Sequence, residues 1–326
     1  MSGTLIAGGV AFLVAGALVP LLVRFAVGRN LLDVPNLRSS HEVPTPRLGG
    51  LAMICGVWAG VALLRPDGIW PVLAAATLVG LVGLADDLGG LHFGTKAIVQ
   101  TLIAAGLVLF YPPQVISEAP GVLKVVVFVV GVFWIVALSN AFNFMDGIDG
   151  ITGGVALVSA LFLFSLTGGT GSFLPLLVGS VAGFLVWNLS PASIFAGDAG
   201  SYFLGFSLAS AAFYTNVPAV GWTPLGFIAA VLVFTPYLFD TAYTLVRRLV
   251  AGKDVFSAHR EHIYQQVTPT TATHRRTSNL YYGASVVAGF SALLVAGGGV
   301  FVVVGGVLAA VLCGVLASLP RLMHSR

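Results

Sequence analysis

Charge is scarce in this chain: of 326 residues, 15 are Lys or Arg and 12 are Asp or Glu, 8% in all. A soluble domain carries about a quarter, so an ordinary water-exposed globule is excluded. Cysteine is scarcer still. Cys55 and Cys313 both lie inside apolar runs with no partner in a polar loop, which argues against a disulfide or thiolate metal site and reads them as core thiols. The formal charge is only +3, and no long basic tract with interleaved aromatics is present, so a nucleic-acid partner is excluded. No positive charge precedes the first apolar run and no small-residue cleavage site ends it before Arg24 and Arg29. That run is therefore expected to persist as a helix rather than to be removed as a signal peptide.

Apolar residues are abundant, at 57% of the chain with a mean hydropathy of +0.99, which makes the bilayer its solvent. In hydrocarbon every backbone N–H and C=O must be paired internally, and continuous runs of roughly 20 apolar residues meet that need as helices. The short alternating segments of a barrel are missing. The expected fold is all-α, a polytopic membrane bundle of about ten or eleven transmembrane helices, forming one domain over residues 1–326. The runs fall at 4–27, 48–64, 70–85, 96–111, 122–141, 151–167, 173–189, 200–215, 223–246, 279–296 and 300–319. The 41 glycines suit such a bundle, where small residues let helix backbones approach.

Eleven spans place the termini on opposite sides. Of the 15 basic residues only Arg65 and Lys124 fall in one set of connections (65–69, 112–121, 168–172, 216–222 and 297–299) or at helix ends adjoining them, and the other thirteen fall in the opposite set or at its adjoining helix ends. Positive charge marks the cytoplasmic side, so the N-terminus is expected outside and the C-terminus inside. Acidic residues were not used for that inference and follow the same asymmetry. Only Asp67 and Glu118 of the twelve lie in outer connections, and carboxylates at the inner ends of membrane helices are costly enough to signal function.

Five inner segments carry polar residues suited to chemistry. The loop 33–50 contains Pro-Thr-Pro-Arg-x-Gly-Gly, in which Arg38, Ser39, Ser40, Thr45 and Arg47 offer donors to phosphate or sugar oxygens; an ordinary positive-inside loop is the plainer alternative. Asp86 and Asp87 repel each other at a helix end unless a cation compensates, and Mg²⁺ prefers such oxygen ligands. Lys96 can neutralise a phosphate or merely anchor its helix. Asn140, Asn143, Asp146 and Asp149 recur every third residue, so the first three nearly share a helical face. In 193–201, Asp198 can bind a metal and Phe195 offers a ring face to a base, although Phe in a membrane protein is usually core. The polar stretch 247–278 holds His259, Arg260 and His262, better suited to anions than to zinc, for which no third ligand stands at suitable spacing. Asp240 is expected to pair with Arg247 or Arg248.

Taken in order, Pro-Thr-Pro-Arg-x-Gly-Gly at 44–50, Asp-Asp-x-x-Gly-Leu at 86–91, Asn-x-x-Asn-x-x-Asp-Gly-x-Asp-Gly at 140–150 and Phe-x-Gly-Asp-x-Gly-Ser at 195–201 resemble the polyprenyl-phosphate N-acetylhexosamine-1-phosphate transferases over nearly the whole chain. That family's usual bundle has ten helices. The resemblance implies a Mg²⁺-dependent transfer, with Mn²⁺ as a substitute, of sugar 1-phosphate from a UDP-sugar to polyprenyl phosphate at the cytoplasmic face of the inner membrane. It implies Asn143 and Asp198 as metal ligands, Phe195 and Asp149 as the uracil site, and Lys96 as a diphosphate contact. Asp86 and Asp87 become the pair that positions or deprotonates the lipid phosphate. The sequence His-Arg-Glu-His-Ile-Tyr-Gln at 259–265 departs from the consecutive histidines of phospho-MurNAc-pentapeptide transferase. With Arg-Ser-Ser-His at 38–41, it resembles the enzymes that initiate O-antigen and other surface polysaccharides. The peptidoglycan enzyme is the alternative within the family. A transporter is the alternative outside it, but would place its carboxylates near the midplane. A homodimer is compatible with the sequence, which does not fix oligomeric state.

Overall fold

The computed structural model describes residues 2–35, 43–118, 120–214, 218, 223–255, 257, 259–271 and 273–324. The segment Arg38 to His41 and most of the connection 216–222 lie outside the described residues. In chain order the elements are α1 (Ser2–Gly28), β1 (Leu32–Asp33), β2 (Thr45–Pro46), α2 (Gly49–Leu64), α3 (Trp70–Gly89), α4 (Phe93–Phe110), α5 (Gln114–Glu118) and α6 (Gly121–Phe144). Then follow α7 (Ile151–Leu166), α8 (Phe173–Asn188), α9 (Gly197–Tyr214), α10 (Pro224–Leu232), α11 (Thr235–Val250), α12 (Ile263–Thr271), α13 (His274–Ala296) and α14 (Val300–His324). The chain is an all-α polytopic membrane bundle whose only strands, among the described residues, are the two-residue pair β1 and β2.

Among the described residues six helices (α1, α3, α4, α6, α13 and α14) are each long and apolar enough to cross a bilayer, or seven if the bent pair α10 and α11 is one span. They present large apolar side chains outward, including Leu13, Leu102, Phe133 and Val303, each at least 65% exposed. Such a surface is untenable in water and natural against lipid. The helix at the centre is α9, packed against α3, α6 and α2. Fourteen of its 18 residues are buried, which explains how a segment rich in Ser, Gly and Tyr sits inside a membrane protein: its neighbours, not lipid, surround it. Gly50 shows how tight this packing is. A Cβ built there would lie 2.3 Å from the backbone nitrogen of Gly200, so any side chain would drive α2 off α9.

Each of the eleven apolar runs forms helix, with corrections at several points. The ninth is not one straight span: α10 and α11 meet at 83°. Pro236 stands in the first turn of α11, where a ring without an N–H starts a helix but cannot continue one. The polar stretch after residue 250 contains the unanticipated α12, and α13 starts at His274. Cys55 is exposed on the outer surface of α2 rather than in the core, since its position on the helix turns it away from the neighbours that bury Ala52 and Gly56.

Candidate active site

Four helix ends converge to form the site: the last turn of α3, the first of α4, the last of α6 and the first of α9. Asp86 and Asp87 are consecutive, so their side chains leave α3 about 100° apart. Asp87 turns to α9 and accepts the backbone N–H of Asp198 at 3.1 Å and of Ala199 at 3.0 Å. It thereby caps a helix to which it does not belong, satisfying two of the amides that every helix N-terminus leaves unpaired. Gly197, the residue before Asp198, has φ +70°, and a Cβ there would lie 2.5 Å from the Arg47 carbonyl oxygen and 2.6 Å from Asp87 Oδ2. Only glycine fits both the backbone geometry and the space.

Asp86 turns the other way. It accepts the Leu91 N–H, and its Oδ2 lies 2.6 Å from Lys96 Nζ. Lys96 also reaches Asp198 Oδ2 at 3.1 Å and lies 5.7 Å from the Tyr202 ring centroid. Asn143 Nδ2 donates to Asp198 Oδ1 at 2.8 Å and to Ser201 Oγ at 3.1 Å. Spacing predicts Asn140, Asn143 and, nearly, Asp146 on one helical face. The structure gives Asn140 to Gln100 on α4 at 2.8 Å, one layer further into the bundle, and places Asp146 beyond the end of α6. Burial pushes the Asp146 carboxyl up to about 7, assisted by the Asp198 charge and opposed by a Thr152 hydrogen bond.

The first and fourth motifs are joined through their backbones. Phe195 N–H donates to Pro46 O at 2.7 Å, Gly49 N–H to Phe195 O at 2.9 Å and Gly50 N–H to Ala196 O at 2.9 Å. Thr45 is buried, its hydroxyl donating to the Val43 carbonyl at 2.9 Å. Arg47 lines a small cavity of about 140 Å³ with Asn30, Leu32 and Asp87.

Asp149 closes the third motif. Its carboxylate accepts the Ala192 N–H at 3.2 Å, in the loop that carries Phe195, and pairs with His274 Nδ1 at 3.2 Å. Burial acts to raise its pKa, but the hydrogen bond and charge of His274, with hydrogen bonds from Ser190 and Ala192, together hold it below the usual carboxylate value. Sequence reasoning missed His274, whose only local signal is a histidine beside two arginines at the start of a membrane helix.

The last inner loop lies against the end of α6. His262 stacks on Phe144, the neighbour of Asn143, with ring centroids 6.2 Å apart, and His259 lies 5.1 Å from His262. Burial, followed by the charges of His262 and Arg248, lowers His259 to about 4, so it is a neutral ring at neutral pH. It accepts the Glu261 N–H at Nδ1, which leaves its Nε2 to donate. Arg260 is exposed. Asp240 does not pair with either arginine: it is fully buried and pairs with His262 at 3.2 Å, while Arg247 and Arg248 both turn to Glu261.

The oxygen-rich set Asp86, Asp198 and Asn143 is hard-donor chemistry of the kind Mg²⁺ prefers. Among the described residues no three His, Cys, Asp or Glu side chains form a complete metal cage.

The chain matches the model described as Glycosyl transferase family 4 over residues 69–216, the stretch from the start of α3 past the end of α9 that supplies Asp86, Lys96, Asn143 and Asp198. It is 27% identical over 290 residues to a probable undecaprenyl-phosphate N-acetylglucosaminyl 1-phosphate transferase of Bacillus subtilis (strain 168), covering 85% of this chain and 80% of that one. Similarity to a decaprenyl-phosphate N-acetylglucosaminephosphotransferase of Mycobacterium leprae (strain TN) is 31% identity over 333 residues, covering 85% and 82%. A phospho-N-acetylmuramoyl-pentapeptide-transferase of Desulforudis audaxviator (strain MP104C) is 33% identical over 258 residues, covering 66% and 77%. On the evidence of these matches, and of four motifs whose polar residues meet at one end of the bundle, the chain belongs to the polyprenyl-phosphate N-acetylhexosamine-1-phosphate transferases.

Proposed function

We propose that the protein transfers N-acetylhexosamine 1-phosphate, or a deoxy relative, from a UDP-sugar to undecaprenyl phosphate, releasing UMP and initiating a surface polysaccharide such as O-antigen. A lipid phosphate oxygen bonds to the β-phosphorus of the donor as the bridging bond to the α-phosphate breaks, its electron pair leaving with UMP. One diphosphate linkage replaces another, so the reaction asks mainly for positioning and charge neutralisation.

The observation that carries this reading is Lys96 held between Asp86 and Asp198 with Asn143 on the second carboxylate. Lys96 offers an ammonium to the diphosphate. Asp198 and Asn143 would hold Mg²⁺, with Mn²⁺ as a substitute, the amide presenting its oxygen after a half-turn; the ion supplies charge neutralisation at the diphosphate. Asp86 positions or deprotonates the lipid phosphate, and Asp87 fixes the helix end that presents Asp198. Phe195 and Asp149 serve the uracil, and Thr45 and Arg47 line the neighbouring substrate path. His259, Arg260 and His262 serve the sugar and diphosphate, with Arg260 as the cation and His259 as a neutral donor.

The thirteen-to-two distribution of basic residues supports a cytoplasmic site with the N-terminus outside. The relatives named for N-acetylglucosamine transfer, together with the His-Arg-Glu-His loop, favour a HexNAc donor over the peptidoglycan precursor. UMP release from a panel of UDP-sugars, measured in detergent with undecaprenyl phosphate, tests the proposal. Turnover of a UDP-HexNAc and rejection of UDP-MurNAc-pentapeptide is expected; efficient use of the peptide donor overturns the assignment.

A further inference from the structure

Asp240 on α11 is completely buried, yet its carboxylate is surrounded by donors from the start of α12, from α13 and from α11 itself. Oδ1 accepts the Ile263 N–H at 2.8 Å, and Oδ2 accepts the Tyr264 N–H at 3.1 Å and the Tyr281 hydroxyl at 2.5 Å. His262 Nδ1 and Thr244 Oγ1 each lie 3.2 Å from Oδ1. A buried carboxylate is stable only when its lone pairs are satisfied in this way. The arrangement repeats that of Asp87: an aspartate at one helix caps the first amides of another, here α12.

The cap has a consequence for the loop before it. A carboxylate only accepts, so the pairing requires a proton on His262 Nδ1 and fixes which ring nitrogen faces Asp240. The ring is held between Phe144 and Tyr264, at centroid distances of 6.2 and 6.1 Å, and Tyr264 Oη donates to the Phe144 carbonyl at 3.3 Å. A continuous set of contacts thus runs from Asp240 through His262 and Tyr264 to Phe144, and from its neighbour Asn143 to Asp198.

We propose that Asp240 is a positioning residue for sugar-phosphate transfer, holding the 259–262 loop against the Asn143 end of α6 and fixing the ring orientation and tautomer of His262. The inference rests on the reaction proposed above. Asp240→Asn replaces one acceptor oxygen by a donor and disrupts both cap and tautomer. Its kcat for UMP release is expected to fall about tenfold to a hundredfold, which is the loss of about 1.4 to 2.7 kcal/mol, while KM for undecaprenyl phosphate stays within about twofold of wild type. In a His262→Ala background the same substitution should lower kcat clearly less than it does alone, because two residues acting through one contact are not additive and only the α12 cap is then left to lose. A purely architectural role would multiply the two losses and overturn the proposal.

Hydrogen–deuterium exchange supplies a readout independent of activity. Amides in a peptide spanning 263–264 should exchange at least about tenfold faster in Asp240→Asn, with those of Asp198 and Ala199 unchanged. Unchanged exchange at 263–264 overturns the proposal. If the wild-type protein turns over no UDP-sugar but the exchange result holds, the proposed reaction falls and the anchoring of the loop stands. Should Asp240→Asn not accumulate in membranes, Tyr281→Phe removes one donor from the same carboxylate and keeps the ring. It is expected to lower kcat about twofold to tenfold, again clearly less in the His262→Ala background.

Discussion

Replacing Asp87 by Asn separates the role of this aspartate from that of its neighbour. Two amides of α9 donate to its two oxygens at 3.1 and 3.0 Å, and an asparagine can accept only one of them while aiming an NH₂ group at the other. One buried N–H is left unpaired, a cost of about 1–3 kcal/mol. Loss of the anionic charge at the helix N-terminus adds about 0.3–1 kcal/mol. At about 2.1 cal/mol/K of unfolding entropy per residue, each kcal/mol lowers Tm by roughly 1.5 °C in a chain of this size, so a melting point about 2–6 °C below wild type is expected in a thermal-shift assay in detergent. Activity should suffer more, because the displaced helix end carries Asp198, and a shift of about 1 Å in a reacting group can cost about 10²-fold. Asp86→Asn is the control: it retains an acceptor for Leu91 N–H, loses the charge beside Lys96, and should abolish UMP release with little change in Tm. If Asp87→Asn keeps wild-type Tm and activity, or if the two variants lose activity with equal Tm, the division of labour between these aspartates is wrong.

Chelation should abolish UMP release and Mg²⁺ or Mn²⁺ restore it, with Asp198→Asn inactive though normally inserted; full activity of that variant in chelator would sink the metal assignment. His259 is lowered from 6.5 to about 4 by burial and the charges of His262 and Arg248, so the unfolded chain binds the extra proton first on acidification. Its contribution to stability is complete above about 6.5 and is lost as pH falls toward about 4, and His259→Gln should flatten the acid limb of a Tm-against-pH curve. An unchanged limb would refute the burial argument. In a background lacking Cys55 and Cys313, Gly90→Cys should react with an impermeant thiol reagent only after cells are opened and Pro113→Cys in intact cells. The reverse pattern would turn the protein over in the membrane.

Local properties settled much of this in advance. Hydropathy locates the apolar helices, though not α5 or α12, because hydrocarbon leaves the backbone almost no alternative, and the bias in Lys and Arg points to a side. Residue order sets out the four motifs, and with them Asp86, Lys96, Asn143 and Asp198. Pro236 marks the break between α10 and α11, a local signal that the length of the apolar run concealed. Tertiary structure decided how neighbours in sequence part company. Asp86 and Asp87 look alike on paper, and only the packing of α3 between α4 and α9 sends one to Lys96 and the other to the amides of α9. The same holds for Asn140 and Asn143 on α6. Asp240 had two arginines within helical reach, but burial on α11 faces it toward α12 and α13, where its partners lie 22 to 41 residues further along the chain. Asp149 finds His274 across 125 residues. A sequence displays which groups are able to pair; which do pair depends on the directions that helix rotation and close packing impose, and those are fixed only when the bundle assembles.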